Sequence, residues 1–199
     1  MKIIKMVLVF LALATSQVGF AAGSPIPMLE SAATKITNTL KENRASLKND
    51  HQAIHNAVKR YLLPIVDVKG MSRSVLGRQA WNRASNTEKQ QFIQEFTQLV
   101  IRTYATPLSE YSDETVKFLP MRDPLNGRFV RVNSIIVRSN GPNIPLSYSL
   151  VSKNGQWKIY DLSVEGVSLL QSFRSQFGQV LQNSNMAELI AQMKKTKAS

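Results

Sequence analysis

The chain has 199 residues, 25 Lys and Arg against 13 Asp and Glu, a formal net charge of +12, and no cysteine. The missing thiol excludes disulfides, thiolate metal sites, cysteine nucleophiles, redox chemistry and a lipid-modified cysteine anchor, so the core alone must hold the fold together. A surplus of cations favours anionic partners, either nucleic acid or the head groups of anionic lipids, and governs association rather than fold.

The first residues read as a secretory leader. Lys2 and Lys5 make a positive start, Met6–Ala14 is an apolar run too short to span a membrane comfortably, and Gly19-Phe20-Ala21 is a small-x-small cleavage site. Residues 1–21 are therefore expected to be a signal peptide cut after Ala21, with an uncleaved anchor helix as the alternative. Cutting 21 of 199 residues leaves 178, enough for one well-cored domain over 22–199, and +12 less the two leader lysines leaves +10. In an exported protein without a nucleic-acid motif, that charge points to membrane surfaces.

Helical spacing comes first along the chain. Pro25–Arg44 carries Met28, Leu29, Ala32, Ala33, Ile36 and Leu40 on one face, and a second helix over Leu47–Leu63 carries Ile54, Val58, Tyr61 and Leu62 up to Pro64. A short helical stretch, Val66–Leu76, precedes Gly77 and a turn at Trp81. Ser85 and Glu88 have the spacing of a capping box, opening a helix of about five turns with Phe92, Phe96, Leu99, Val100, Thr103 and Tyr104 on one face and Pro107 at its end.

The period then changes to two. Strands are expected at Thr115–Pro120, Arg128–Arg138, Ile144–Val151 and Gln156–Ser163, with turns at Asn140-Gly141-Pro142 and Asn154-Gly155. Short turns between successive strands predict a twisted antiparallel four-stranded meander. Helices over Ser168–Leu181 and Met186–Lys195 close the chain, before a solvated tail at Lys194–Ser199. The class is α+β, helices packed on one sheet.

Candidate chemistry is sparse. His51 and His55 have metal-binding helical spacing, but Gln52 stands where a zinc protease needs glutamate, and surface histidines fit better. Asp161 and Glu165 could be an acid/base pair; the structural reading has Asp161 bonding backbone or an arginine, Glu165 fixing a turn with Gly166, and Ser168 capping the helix. Arg128, Phe129 and Arg131 interleave basic and aromatic groups on one strand, but the remaining cations are scattered, and no nucleic-acid partner is expected. No metal site and no catalytic residue is assigned.

Three segments carry a resemblance: VLGRQAW at Val75–Trp81, FTQLVIRTYATPL at Phe96–Leu108, and WKIYDLSVEGVSLLQSFRSQF at Trp157–Phe177. Their order and spacing, over roughly Thr34 to Met193, resemble the MlaC family of periplasmic phospholipid-binding proteins, also called toluene-tolerance proteins. The N-terminal third matches mainly by helical pattern. The resemblance implies a non-enzymatic, soluble periplasmic carrier that binds phospholipid as cargo, without other cofactor, and maintains outer-membrane lipid asymmetry. Implied partners are an inner-membrane ABC transporter with an MCE-domain subunit and an outer-membrane lipoprotein–porin complex, served by a monomer.

The family fold also implies an apolar pocket between sheet and helices that takes two acyl tails. Its expected lining is Val75, Leu76, Trp81, Phe92, Phe96, Val100, Tyr104, Tyr148, Leu150, Trp157, Ile159, Phe173 and Phe177. Read without the resemblance, these residues are simply a hydrophobic core. Two other functions remain open: an enzyme of lipid or cell-wall metabolism using Asp161 or Glu165, and an adaptor whose pocket is only core.

Overall fold

The computed structural model describes residues 23–47, 51–109, 113–121, 125 and 127–195, and only the backbone of 104–109. The expected leader and the last four residues of the tail lie outside the described residues.

Helix α1 (Ile26–Glu42) buries Leu29, Ala32 and Leu40, the stripe its spacing predicts. Where one helix was expected over Leu47–Leu63, α2 (Gln52–Ala57) instead runs into a π-helical turn at Val58–Leu62 and a 3-10 turn at Leu63–Ile65. Pro64 lacks an N–H and its ring opposes an α-helical turn before it, so the helix cannot continue regularly into this segment. Asp67 then caps α3 (Val68–Arg83), its carboxylate accepting from the Gly70 N–H at 3.0 Å.

Helix α3 differs from expectation. It was expected to stop at Leu76, with Trp81 in a turn; it breaks at Gly77 (φ +73) and resumes, with Trp81 buried in the second half. Glycine accommodates that positive φ without a Cβ clash. The capping box before α4 (Asn86–Ser109) forms as its spacing predicts: Glu88 accepts from the Ser85 N–H at 2.8 Å and its own N–H donates to Ser85 Oγ at 3.2 Å. Pro107 falls within the last turn of α4.

The sheet is an antiparallel meander in the order β1 (Thr115–Phe118), β2 (Phe129–Val137), β3 (Ile144–Lys153), β4 (Gln156–Val164) and β5 (Val167–Ser168). It has five strands where four were expected. The added β5 pairs with β4 across Glu165-Gly166, both at positive φ (50° and 83°), the same two-residue geometry as Asn154-Gly155 (51° and 74°). Such turns match the strands' right-handed twist, which is why both pairs close hairpins. Ser168 then caps α5 (Leu169–Asn183), and α6 (Met186–Lys195) packs on α4 and α5.

A bulge in β4 sorts the apolar residues. Pairing with β3 passes from Ser149 opposite Asp161 to Leu150 opposite Ile159, leaving Tyr160 as the extra residue. Trp157 and Ile159 on one side of the bulge join the apolar cluster over the sheet, whereas Tyr160 and Leu162 pack against the cluster built by α3 to α6. A third cluster joins Leu40, Leu47, Ile54 and Val58 to Ile101 of α4.

Candidate lipid-binding site

Period-two alternation places one side chain in two on the sheet's inner face, and the register lines them up across strands. Val130, Leu150 and Ile159 form one row, and Val132, Tyr148 and Leu162 the next. Val132 and Leu150 are completely buried, in one apolar cluster with Leu29 of α1. Phe118 of β1 meets Tyr148 with ring centroids 5.8 Å apart. The Trp157 indole N–H donates to the Gly23 carbonyl at 2.6 Å, tying the start of the described chain to β4.

Tyr148 brings the polar group to this face. Burial pushes its phenol above the ordinary tyrosine range, while the Ser134 hydroxyl beside it acts in the opposite direction. The phenol is therefore neutral at physiological pH, and the rows carry no charge.

The expected pocket lining divides between two places. Tyr148, Leu150, Trp157 and Ile159 lie on the inner sheet face, with Leu29, Val130 and Val132. Val75, Leu76, Trp81, Phe92, Phe96, Val100, Phe173 and Phe177 lie in the helical cluster instead. There Phe92 and Phe96 stack at 5.7 Å, and Phe173 and Phe177 meet Phe96 edge-on at 5.2 and 6.0 Å. Rings at these distances and angles fill one another's space as in a packed core. The side chain of Tyr104 lies outside the described residues. Val66, between the 3-10 turn and α3, touches both clusters, and its backbone bridges to Ile159.

Three residues of the sheet-face cluster were not among the lining expected from the sequence. Val130 and Val132 were legible in the alternation of β2, which the interleaved Arg128, Phe129 and Arg131 obscured. Leu29 was assigned to a helix face, but nothing local says that this face covers the sheet.

A cleft of about 580 Å³ opens at the far end of the sheet, bordered by Leu119, Met121, Ile135, Pro145, Leu146 and Gly166. Met121 also packs against the inner-face cluster, so the cleft adjoins that cluster. Its volume lies within the usual range for small-molecule sites and below the roughly 1,000 Å³ at its upper end.

The carboxylates are structural. Asp161 Oδ2 accepts from the Ser168 hydroxyl at 2.7 Å and Oδ1 from the Leu170 N–H at 3.0 Å, so both oxygens fix the start of α5. Glu165 occupies the β4–β5 turn. The His55 imidazole is held below its ordinary pKa by burial, with His51 and Arg102 nearby acting the same way. Among the described residues no three His, Cys, Asp or Glu come together as a metal site, and no helix is long and apolar enough to cross a membrane.

Comparison with known proteins gives this geometry its context. The family model for MlaC protein matches residues 30–195. A toluene tolerance protein of Pseudomonas putida is 27% identical over 164 residues, covering 82% of this chain and 76% of that protein. The intermembrane phospholipid transport system binding protein MlaC of Haemophilus influenzae is 25% identical over 191 residues, covering 94% and 89%. A phospholipid-binding protein from Ralstonia solanacearum, solved in complex with a phospholipid, shares the fold with a TM-score of 0.78 at 24% identity, over 85% of this chain and 94% of that one. With a family model matching most of its length, the chain belongs to the MlaC family.

Proposed function

We infer that the protein is a phospholipid carrier, with the acyl tails lying against the inner sheet face beneath α1. The observation that carries this reading is the uncharged sheet-face cluster of Val130, Leu150 and Ile159 with Val132 and Tyr148 beside them, in a chain of the MlaC family. Each buried methylene is worth about 0.8 kcal/mol, so two tails of roughly fifteen methylenes would cost about 24 kcal/mol to expose to water. A protein that offers hydrocarbon on both sides of the exchange makes transfer nearly neutral without breaking a bond. No catalytic step is needed, and both oxygens of Asp161 are engaged in the α5 cap.

The 580 Å³ cleft is smaller than two tails need, so loading separates α1 from the sheet, starting where Met121 links cleft and cluster. The tails then take the place of Leu29 in the cluster that it forms with Val132 and Leu150. By this reading a leader at residues 1–21 exports one lipid-binding domain to the periplasm. There, as a monomer, it exchanges lipid between an inner-membrane ABC transporter carrying an MCE-domain subunit and an outer-membrane lipoprotein–porin complex.

Native mass spectrometry of detergent-free protein, followed by organic extraction, tests the reading. Stoichiometric phospholipid in the proportions of the host membrane is the expected result. Bare protein that also takes up no lipid from vesicles would return the inner face to an ordinary core.

A further inference from the structure

The outer face of the same sheet has a different character. On β2 the odd-numbered residues Phe129, Arg131 and Asn133 are exposed, while Val130, Val132 and Ser134 between them are buried. Phe129 is 59% exposed, an unusual position for a phenylalanine. Its ring is held in place: Tyr160, the bulge residue, meets it edge-on at 5.7 Å, and the Arg128 guanidinium lies 5.9 Å from its centroid. Further along the same face, exposed Lys117 of β1 stands opposite Ile135, and Leu119 is 38% exposed beside the cleft.

Among the described residues, Lys117, Arg128 and Arg131 make no ion pair, whereas Lys153 pairs with Asp67 and Arg138 with Glu114. Asp161, the acid in the cross-strand row of Arg131 and Ser149, has its oxygens committed to the α5 cap. This region, about 20 Å along the sheet, thus carries three cations without an ion pair among the described residues, Lys117, Arg128 and Arg131, beside two exposed apolar side chains, Phe129 and Leu119.

We propose that this outer face, centred on Arg128, Phe129 and Arg131 with Lys117 beside them, is a docking surface for an anionic phospholipid bilayer. The chemistry matches at both levels. Cations seek the charged head groups, and an apolar ring held among them enters the boundary between head groups and acyl chains, where the apolar side chains of interfacial proteins are buried. The surplus of cations, +12 less the two lysines of the expected leader, brings the protein to such a surface, and this face decides how it lands. Docking by this face sets the bilayer beside the cleft bordered by Leu119 and Ile135. The proposal is independent of what the inner face carries.

The test is flotation of the purified chain with vesicles of phosphatidylethanolamine and phosphatidylglycerol, against pure phosphatidylcholine, over a range of salt. Binding should require phosphatidylglycerol and weaken with salt. At about fivefold per cation, the triple variant Lys117→Gln, Arg128→Gln, Arg131→Gln should bind about a hundredfold more weakly. Phe129→Ser should lose several-fold even at constant charge. A charge-matched control, Lys41→Gln, Lys59→Gln, Arg60→Gln, alters exposed cations elsewhere and should change binding less than fivefold.

Equal losses in the two triple variants, or equal binding to phosphatidylcholine, would overturn the proposal. So would a triple variant that keeps vesicle binding but loses transfer to an acidic acceptor protein, because the face would then belong to that protein. Lipid extracted from the same preparations reports separately on the inner face. Docking without cargo would sink the carrier reading and leave this one standing.

Discussion

Asp67 and Gly70 are matched to each other: the Asp67 carboxylate accepts the Gly70 N–H at 3.0 Å, and a Cβ on residue 70 would sit 2.0 Å from Asp67 Oδ2. The same carboxylate pairs with Lys153 of β3, and the Asp67 N–H donates to the Ile159 carbonyl at 2.8 Å. One residue thereby starts α3 and fastens it to the sheet beside the proposed lipid seat.

Gly70→Ala should therefore destabilise the protein by about 1 kcal/mol, the usual worth of a lost N-cap, despite alanine's better helix propensity. Asp67→Asn, which keeps the cap and loses the ion pair to half-exposed Lys153, should cost less than about 1 kcal/mol. Urea unfolding of both variants decides it. An alanine variant as stable as the parent would show that the carboxylate can leave without loss.

Phe96 separates core from lipid seat. It is 2% exposed among Phe92, Phe173 and Phe177, so Phe96→Ala should cost about 3–5 kcal/mol. The lipid extracted per folded molecule should stay unchanged, since the ring touches other rings rather than cargo. A selective loss of lipid with stability retained would move the seat into the helical cluster.

Tyr148 should make the protein sensitive to alkali. Its folded pKa is raised above the unfolded value near 10, so its contribution is complete below the unfolded value and is lost as pH rises through the folded one. Thermal melting from pH 8 to 12 should show Tyr148→Phe losing less stability than the parent over the alkaline limb. Parallel curves would remove Tyr148 as the cause.

Glu88 acts at the opposite limb. The Ser85 N–H, then the Ser85 hydroxyl, hold its carboxyl below the ordinary value, so its contribution is present above the unfolded pKa and fades as pH falls through the folded one. Glu88→Gln should flatten that part of the acid limb, read as melting temperature between pH 6 and 3. A variant with the parent's acid profile would assign the loss to other carboxylates.

Much of this molecule is legible along the chain because the signals are local. The Ser85–Glu88 box, the Asn154-Gly155 turn, the stripe of α1 and the alternation of β3 each rest on residues within a few positions of one another. The zero cysteine count likewise removes whole classes of chemistry without reference to shape. The family resemblance was carried by segments that the fold later placed on α3, α4, β4 and α5.

What the chain alone left undecided is which buried residue faces which. Periodicity says that Phe96 and Leu150 are both inside, and both are buried, so only the packing partner tells them apart. Within β4 the division between the two clusters falls at the bulge at Tyr160, a mismatch of cross-strand register that neither strand encodes by itself. The same holds for the outer face: Arg128, Phe129 and Arg131 are visible in sequence, but their exposure is decided only when distant segments meet. Local signals set the elements, and the register and packing between them set the two faces.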